Sequence, residues 1–315
     1  MRGLRAPGEY SADDTVGPDM TLKRLLSAVL IGLLISTVAV PVFIAEGSLH
    51  IYNRIVPDSH AADYFARQND VTWQPAVLRA ADGIQLQAWF FRPAEFNGAA
   101  VLLLHGVGDT RLGMTGHLQY LLRNGYAALM PDARGQGSSG GDLVTYGLKE
   151  ARDTAMWAQW LDGQRGVERI YGLGESMGAG VLIQSLAYHP GFRAIVAECP
   201  FSTFEDVAEY RVGARLLPIV AWPVTRMASW YSHLRYGVDV MQASPIDALR
   251  RSNTPVLLIH GTADVNIPPQ ESRDLHAANP SSTVLWEVKG ATHVAAQTAE
   301  PHEYQRRVLS WFATH

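Results

Sequence analysis

Ser176 is the residue whose surroundings most directly indicate chemistry. It lies in the sequence GESMG at residues 174–178, directly after an apolar segment typical of a short buried strand (169–173) and directly before a helix-like segment (179–188). In the order strand, G-x-S-x-G, helix, a tight turn strains the serine backbone and exposes its oxygen. The glycines let the strand and the helix approach without a side-chain clash. The pattern therefore predicts a serine nucleophile at Ser176.

A second copy of the same short pattern surrounds Ser139, at residues 137–141. It lies within a stretch rich in glycine, serine and aspartate (135–142), with no strand before it and no helix after it. Because the pattern has meaning only between a strand and a helix, we predict a surface loop there and no catalytic role for Ser139.

A serine hydroxyl becomes a useful nucleophile only when a base takes its proton and an acid orients that base. In folds with this serine turn, the acid and then the base follow the serine along the chain. Asp264 follows a strongly apolar predicted strand (255–261), and His293 lies in the loop after the next one (282–288). Since parallel α/β sheets keep their sites at the C-terminal ends of strands, we predict Asp264 as the acid and His293 as the base.

Other histidines fit the role of the base less well. His260 lies at a strand end and is predicted to be structural, His276 lies in a helical pattern, and His302 opens the last predicted helix. His105 precedes the serine in the chain, so we expect it to hold its own loop by hydrogen bonding.

The developing negative charge of an acyl-transfer reaction needs two backbone N–H donors. One is expected from Met177, the residue after the nucleophile, and the other from the loop after the third strand. The apolar segment 99–104 is that predicted strand, and it leads into a His-Gly pair followed by Val107. We therefore predict the N–H groups of Val107 and Met177 as the oxyanion hole.

Taken together, these residues resemble the α/β-hydrolase superfamily, over roughly residues 76–315. The similarity is greatest to the membrane-anchored Bem46-like hydrolases and to the wider serine aminopeptidase-like group. It implies a serine hydrolase acting on esters, and less often on amides or thioesters, but it does not specify the substrate, because one fold hosts many chemistries. The matching stretches are HG at 105–106, PDARGQGS at 131–138, GESMGAG at 174–180, SPID at 244–247, HGTAD at 260–264 and GATH at 290–293.

Two departures limit what the resemblance implies. Glu198 ends the predicted strand after the helix that follows Ser176, which is an unusual place for an acid. It is expected either to pair with a basic residue such as Arg134 or to approach the site. The sequence also contains no glutamate-rich element suited to a free peptide N-terminus, so peptidase activity is not predicted.

Composition bounds the possible functions. The 315 residues suit one large α/β domain with appendages, and they carry a formal net charge of −4 without a basic block that would indicate nucleic-acid binding. The single cysteine, Cys199, excludes an internal disulfide and a cysteine-based zinc site. Neither a convincing metal-ligand spacing nor a nucleotide-binding fingerprint occurs. We expect no cofactor and no metal, and a small ester or acyl compound as substrate. A lipid or thioester deacylase of the same fold that works at the membrane surface and a non-catalytic binding scaffold are the two alternatives.

The N-terminal region contains 21 consecutive uncharged residues, at positions 25–45. As a helix they would span about 32 Å, enough for a bilayer core. Lys23 and Arg24 precede them, so an anchor would leave the N-terminus in the cytoplasm and the catalytic domain outside it. A cleaved signal peptide, giving a secreted or periplasmic protein, is the alternative, although Phe43 lies where such a cleavage site needs a small residue.

The predicted organisation follows from these segments. The first segment is a polar tail (1–20), which is either disordered or precedes a true translation start at Met20. It is followed by a transmembrane anchor or signal segment (21–45) and then by a connector (46–75). Strands that alternate with helices from residue 99 onward predict a doubly wound, mostly parallel α/β sheet, with an antiparallel hairpin (77–91) at its edge. The α/β-hydrolase core is assigned to residues 76–200 and 244–315.

Residues 201–243 interrupt this alternation, because a crossover needs only about a dozen residues. We interpret them as a helical cap over Ser176 that forms an apolar pocket for an acyl or aryl group. Two alternatives are an insertion that packs its aromatic residues into its own small core, and a membrane contact through residues 216–222. The aromatic residues are Phe201, Phe204, Tyr210, Trp222, Trp230, Tyr231 and Tyr236.

Overall fold

An eight-stranded sheet runs through the molecule in the order β1-β2-β4-β3-β5-β6-β7-β8. The computed structural model describes residues 18–52 and 54–315, so most of the predicted polar tail lies outside the described residues. The strands are β1 (Val71–Arg79), β2 (Gln85–Pro93), β3 (Ala99–Leu104), β4 (Ala127–Pro131), β5 (Arg169–Glu175), β6 (Ile195–Glu198), β7 (Val256–Gly261) and β8 (Thr283–Val288).

Helices cover both faces of this sheet. In chain order they are α1 (Pro18–Leu49), α2 (Ser59–Asn69), α3 (Thr115–Arg123), α4 (Glu150–Asp162), α5 (Met177–Ser185), α6 (Phe204–Arg215), α7 (Pro218–Tyr236), α8 (Pro245–Arg250), α9 (Gln270–Ala278), α10 (Ala296–Ala299) and α11 (Pro301–Thr314). Short 3₁₀ turns precede α3, follow α5 and follow α7.

The strand directions confirm the predicted α/β class. β1 pairs antiparallel with β2, β2 pairs antiparallel with β4, and the remaining neighbours are parallel. All six residues of β3 are buried, and alternate ones pack into apolar layers on opposite faces of the sheet. A strand covered on both faces has to be apolar throughout, which is why β3 is a continuous run of alanine, valine and leucine.

The N-terminal helix α1 is both longer and more closely joined to the domain than predicted. Its segment Leu22–Leu49 is long and apolar enough to cross a membrane, by length and composition. The last turn belongs to the core, because Leu49 is only 1% exposed and its carbonyl accepts a hydrogen bond from Val144 N at 2.9 Å. The stretch 46–75, predicted as a connector, contains the end of α1, all of α2 and the start of β1.

Residues 201–243 contain the two helices α6 and α7 and a short 3₁₀ turn. Thr203 caps α6, accepting a hydrogen bond from Asp206 N, and α7 ends at Gly237, whose φ of 68° is accessible to glycine at little cost. α7 packs against the end of α1, where the hydroxyls of Tyr231 and Tyr236 both donate to Glu46 at 2.6 Å. The insertion is therefore held by the N-terminal helix, and also by the hydrophobic core, to which Phe204 and Val207 belong.

Candidate active site

Ser176 occupies the sharp turn between β5 and α5. Its backbone angles, φ 53° and ψ −118°, are unusual for a residue with a side chain. The turn is held in place by a hydrogen bond from Ser176 N to Glu198 O on the neighbouring strand, at 2.8 Å. Backbone strain of this kind persists only where the surrounding structure fixes the conformation. The strained turn places the serine oxygen at the C-terminal edge of the sheet.

The glycines around this turn are required by close backbone approach. A Cβ at Gly178 would lie 2.3 Å from Leu104 O, and one at Gly174 would lie 2.6 Å from Gly178 O. Both distances are too short for any side chain, so the strand and the helix can meet only if both positions are glycine. The sequence-based reason for expecting glycine at these positions therefore agrees with the packing.

The structure brings Ser176, His293 and Asp264 into one hydrogen-bonded chain. Ser176 Oγ lies 2.8 Å from His293 Nε2, and His293 Nδ1 lies 2.6 Å from Asp264 Oδ2. The three residues lie at or just after the ends of β5, β8 and β7. An ionised carboxylate can only accept, so His293 donates through Nδ1 and its Nε2 is left to accept the serine proton.

Asp264 is fixed as an ionised acceptor. Its Oδ1 accepts hydrogen bonds from Asn266 N at 2.8 Å and Ile267 N at 3.0 Å, while Oδ2 faces His293 and lies 3.4 Å from His260 Nε2. Burial raises the pKa of Asp264, but the contacts from His260 and His293 outweigh it and hold the pKa well below its usual range. The charge is therefore maintained throughout the neutral range.

His260 positions the loop that carries Asp264. The ring is fully buried, with Nε2 donating to Ile267 O at 2.9 Å and Nδ1 accepting from the Ser272 hydroxyl at 2.7 Å. The structural role predicted for His260 is therefore to hold the turn that leads from strand β7 to Asp264.

Val107 and Met177 place two unused N–H groups beside the serine. Among the described residues, neither N–H has a hydrogen-bond acceptor. Met177 is the first residue of α5, where the helix dipole is positive. Val107 follows Gly106, where a Cβ would lie 3.4 Å from Ser176 Cβ, so this loop lies directly against the serine.

Two further side chains hold the Val107 loop. His105 Nδ1 donates to Gly106 O at 2.7 Å, and its Nε2 accepts from Ala133 N at 3.0 Å, as expected for a loop-holding histidine. The Gln136 side chain accepts from Gly108 N at 2.6 Å. Sequence reasoning missed Gln136, although it lies within the stretch PDARGQGS.

Comparison with known proteins identifies the fold family. The sequence model described as the alpha/beta hydrolase family matches residues 101–306, more than half of the chain. The chain belongs to this family. The matched region runs from β3 into α11 and contains all three residues of the hydrogen-bonded chain.

Individual relatives of this alpha/beta hydrolase agree with the assignment. Protein YqkD of Bacillus subtilis is 27% identical over 236 residues, covering 74% of this chain and 76% of that protein. The Pyrococcus furiosus esterase Pf2001 superposes with a TM-score of 0.67 at 23% identity, covering 83% of this chain and 97% of that one. The Exiguobacterium antarcticum esterase EaEST gives a TM-score of 0.56 at 17% identity, covering 76% and 100%. At these identities the two structures show a shared fold.

Ser139 is buried, which corrects the predicted surface loop. It has no exposed surface; its hydroxyl donates to Asp132 O at 2.7 Å and accepts from Gln87 N at 2.9 Å. The second G-x-S-x-G copy of this hydrolase is therefore a structural element that ties the loop after β4 to β2.

The expected pair between Glu198 and Arg134 does not form. Arg134 instead donates to Asp82 at 2.8 Å and to Asp153 at 2.7 Å. Glu198 lies beneath the serine turn, where its Oε1 accepts from Ala296 N at 3.0 Å. Glu198 thus contacts the serine turn through its backbone, and no bond joins its side chain to Ser176, His293 or Asp264 among the described residues.

A small buried cluster surrounds Glu198. Glu175, the residue before the serine, accepts from His117 Nε2 at 2.6 Å, and the Tyr304 hydroxyl and Glu198 Oε2 each have no partner with hydrogen-bond geometry among the described residues. Burial, and then the charge of Glu175, raise the pKa of Glu198. Burial of this kind disfavours the charged form of the acid.

In the described part of the chain, two groups of side chains each bring three potential metal-ligand atoms within 4.8 Å of one another, and we assign neither as a metal site. In His117, Glu175 and Glu198, the bonds described above already use His117 Nε2 and Glu198 Oε1. The second group consists of Cys199, His260 and Asp264. Burial raises the pKa of the Cys199 thiol far above its usual range, which disfavours the thiolate that a metal requires.

Replacing Glu198 with glutamine is expected to stabilise the protein at high pH. The pKa of Glu198 is higher in the folded state than in the unfolded state. The wild type therefore loses stability as the pH rises from the unfolded-state pKa through the folded-state pKa. Glutamine has no charge to bury, so the variant does not lose stability over this pH range. We expect the thermal midpoint of the full chain in detergent to rise by about 2–4 °C at pH 8, and by less at pH 5. The exposed Glu95→Gln is the matched control. A loss of stability at both pH values in Glu198→Gln would contradict this account.

Proposed function

We propose that this alpha/beta hydrolase is a membrane-anchored serine esterase, which cleaves carboxylic esters through an acyl-enzyme. The observation that carries the proposal is the hydrogen-bonded chain Ser176–His293–Asp264, with distances of 2.8 Å and 2.6 Å, at a strained turn on the C-terminal edge of the sheet. This arrangement matches, in residue types, order and geometry, what nucleophilic acyl transfer requires.

In the proposed reaction, Ser176 Oγ attacks the carbonyl carbon of the ester while His293 Nε2 takes its proton. The resulting imidazolium is stabilised by the charge of Asp264, and it returns the proton to the departing alkoxide. Water then attacks the acyl-enzyme with His293 again acting as the base, which releases the carboxylic acid and restores the serine.

The N–H groups of Val107 and Met177 support the same reaction. Both lack an acceptor among the described residues, and both flank the serine, so they can donate to the oxyanion of each tetrahedral intermediate. The loss of one such donor costs about 3–4 kcal/mol in the transition state. Because the donors are backbone groups, side-chain substitution at these two positions leaves them in place.

For the N-terminal helix we propose a retained anchor, with the catalytic domain on the extracytoplasmic side. Cleavage after the apolar segment would expose the end of α1, whose Leu49 is buried in the core and whose Ser48 carbonyl accepts from the Tyr146 hydroxyl at 2.9 Å. Lys23 and Arg24, just before the span, favour a cytoplasmic N-terminus.

The direct test is reaction of the full chain in detergent with a fluorophosphonate, followed by mass spectrometry, beside a series of p-nitrophenyl esters. We expect one covalent adduct, on the peptide that contains Ser176, and measurable ester turnover. Absence of any adduct would overturn the proposal in favour of a non-catalytic scaffold. An adduct without turnover of any ester would overturn the ester assignment and direct the search to amides or thioesters.

A further inference from the structure

A cavity of about 730 Å³, within the size range of ligand sites, lies beside the loop that carries Val107. On the side of the sheet it is lined by Val107 and Gly108, in the loop that carries the proposed oxyanion donor. Gly106, one residue earlier, packs against the Ser176 side chain. Ser176 itself is not among the lining residues, so an acyl group bound to it would enter the cavity past the Val107 loop.

The lining is almost entirely apolar. Only two of the residues that line the cavity are charged, Arg211 and Arg215, and both are exposed. The buried part offers aliphatic surface, with the hydroxyls of Tyr146 and a few serines and threonines already bonded to protein groups. A hydrocarbon chain gains from leaving water for such a surface, whereas a polar substituent would lose hydrogen bonds there.

The N-terminal helix forms another wall of the cavity, beside the cap helices α6 and α7. Eight residues from the end of α1 and just beyond it line the cavity: Val40, Phe43, Ile44, Ala45, Gly47, Ser48, Leu49 and Ile51. The domain therefore does not close its own pocket, and the helix that could cross the membrane completes it.

The same helix continues from this wall into its exposed apolar segment. The residues of 22–39 whose burial is described are all exposed. The uncharged part of this segment, 25–39, would span about 22 Å of a bilayer core that is about 30 Å thick. If that part lies in the membrane, the first residues of the cavity wall lie at the outer boundary of the bilayer core. Phe43 marks this boundary, because it lines the cavity and is nevertheless 80% exposed.

The tip of the cap presents a second apolar surface near the cavity rim. Leu216 lines the cavity, and the following Leu217, Ile219 and Trp222 are 61%, 85% and 60% exposed. Exposed apolar residues of this kind, next to a membrane helix, are typical of contact with the lipid interface. They favour a cavity that opens towards lipid rather than towards bulk water.

We infer that the cavity binds the acyl chain of an ester lipid, which reaches Ser176 from the bilayer between α1 and the cap. This inference rests on the proposed function and specifies its substrate class. The long acyl group is transferred from the lipid's alcohol to Ser176 Oγ, the serine proton passes through His293 to the departing alcohol, and water releases the fatty acid. The N-terminal helix thus forms part of the substrate site in addition to anchoring the enzyme.

The test uses the full chain reconstituted in phosphatidylcholine vesicles, with fluorophosphonates that carry either a hexadecyl or an ethyl chain. Gly47 lines the cavity and has no atom within 4 Å of a Cβ, so Gly47→Trp adds bulk to the cavity wall without a backbone clash. We expect the ratio of hexadecyl to ethyl labelling rates at Ser176 to fall about tenfold. Gly32→Trp is the matched control, since Gly32 has the same free space on the same helix but does not line the cavity; its ratio should stay at the wild-type value.

Ala208→Trp, on the cap side of the cavity, provides a second variant in case Gly47→Trp does not fold, and the same selective fall is expected. Unchanged ratios in folded Gly47→Trp and Ala208→Trp would overturn the inference while leaving the esterase proposal intact. Absence of labelling by both probes in the wild type would instead overturn the proposed function, on which the inference rests. The two failures are therefore distinguishable.

Discussion

Ser176→Ala is expected to lower ester turnover by about 10⁶ and to abolish fluorophosphonate labelling, by analogy with a serine protease dissected residue by residue. The side chain is 2.8 Å from His293 Nε2 and has no neighbour that could replace it as nucleophile in the described part of the site. Residual turnover would come from water activated by His293 beside the oxyanion donors. The fold should persist, because the strained turn is held by backbone contacts that alanine keeps.

Ser139→Ala is the matched control for this prediction, because it removes the same atom from the other copy of the same motif. The Ser139 hydroxyl bonds Asp132 O and Gln87 N, so its loss should cost about 1 kcal/mol of stability and leave Ser176 labelling intact. Measurement of kcat and of covalent labelling in both variants decides the matter. Near-native turnover in Ser176→Ala, or loss of labelling in a folded Ser139→Ala, would contradict the assignment.

The positions of Ser176, Asp264 and His293 could be predicted because local sequence determines them. Each lies where an apolar strand meets a turn, and parallel strands bring their C-terminal ends to one edge of the sheet. The glycines beside Ser176 could be predicted for a similarly local reason, since a strand and a helix cannot meet there with side chains between them.

Other features depend on contacts between segments that are distant in the sequence. Local sequence patterns do not show which distant segments will be in contact. Ser139 was predicted to be exposed because its neighbours are polar and small, yet Gln87 on another strand covers it. Arg134 was one of the partners considered for Glu198, on charge alone, but it bonds Asp82 and Asp153 instead. The contact between the end of α1 and α7 was missed for the same reason, because the sequence of α1 does not show which distant helix packs against it.

Asp264→Asn is expected to lower turnover by about 10⁴ while leaving the site nearly intact in shape. One Asp264 oxygen accepts from two backbone N–H groups, and the other accepts from His293 Nδ1. An amide would keep the backbone bonds only by presenting its NH₂ group to His293. That group donates, so the histidine would carry its proton on Nε2 and could no longer take one from Ser176.

Asp274→Asn, an exposed substitution on α9, is the control for a general effect of removing a carboxylate.

Stability gives a second, independent readout for Asp264→Asn. Because the pKa of Asp264 is held well below its usual range, its charge stabilises the folded state above the unfolded pKa, and this contribution disappears as the pH falls through the folded value. The variant should therefore unfold at a lower temperature than the wild type at pH 7, with the gap narrowing towards acid. Unchanged turnover in Asp264→Asn would contradict this prediction, because it would show that another group orients His293. Lost turnover with a pH-independent stability difference would assign Asp264 a steric role rather than an electrostatic one.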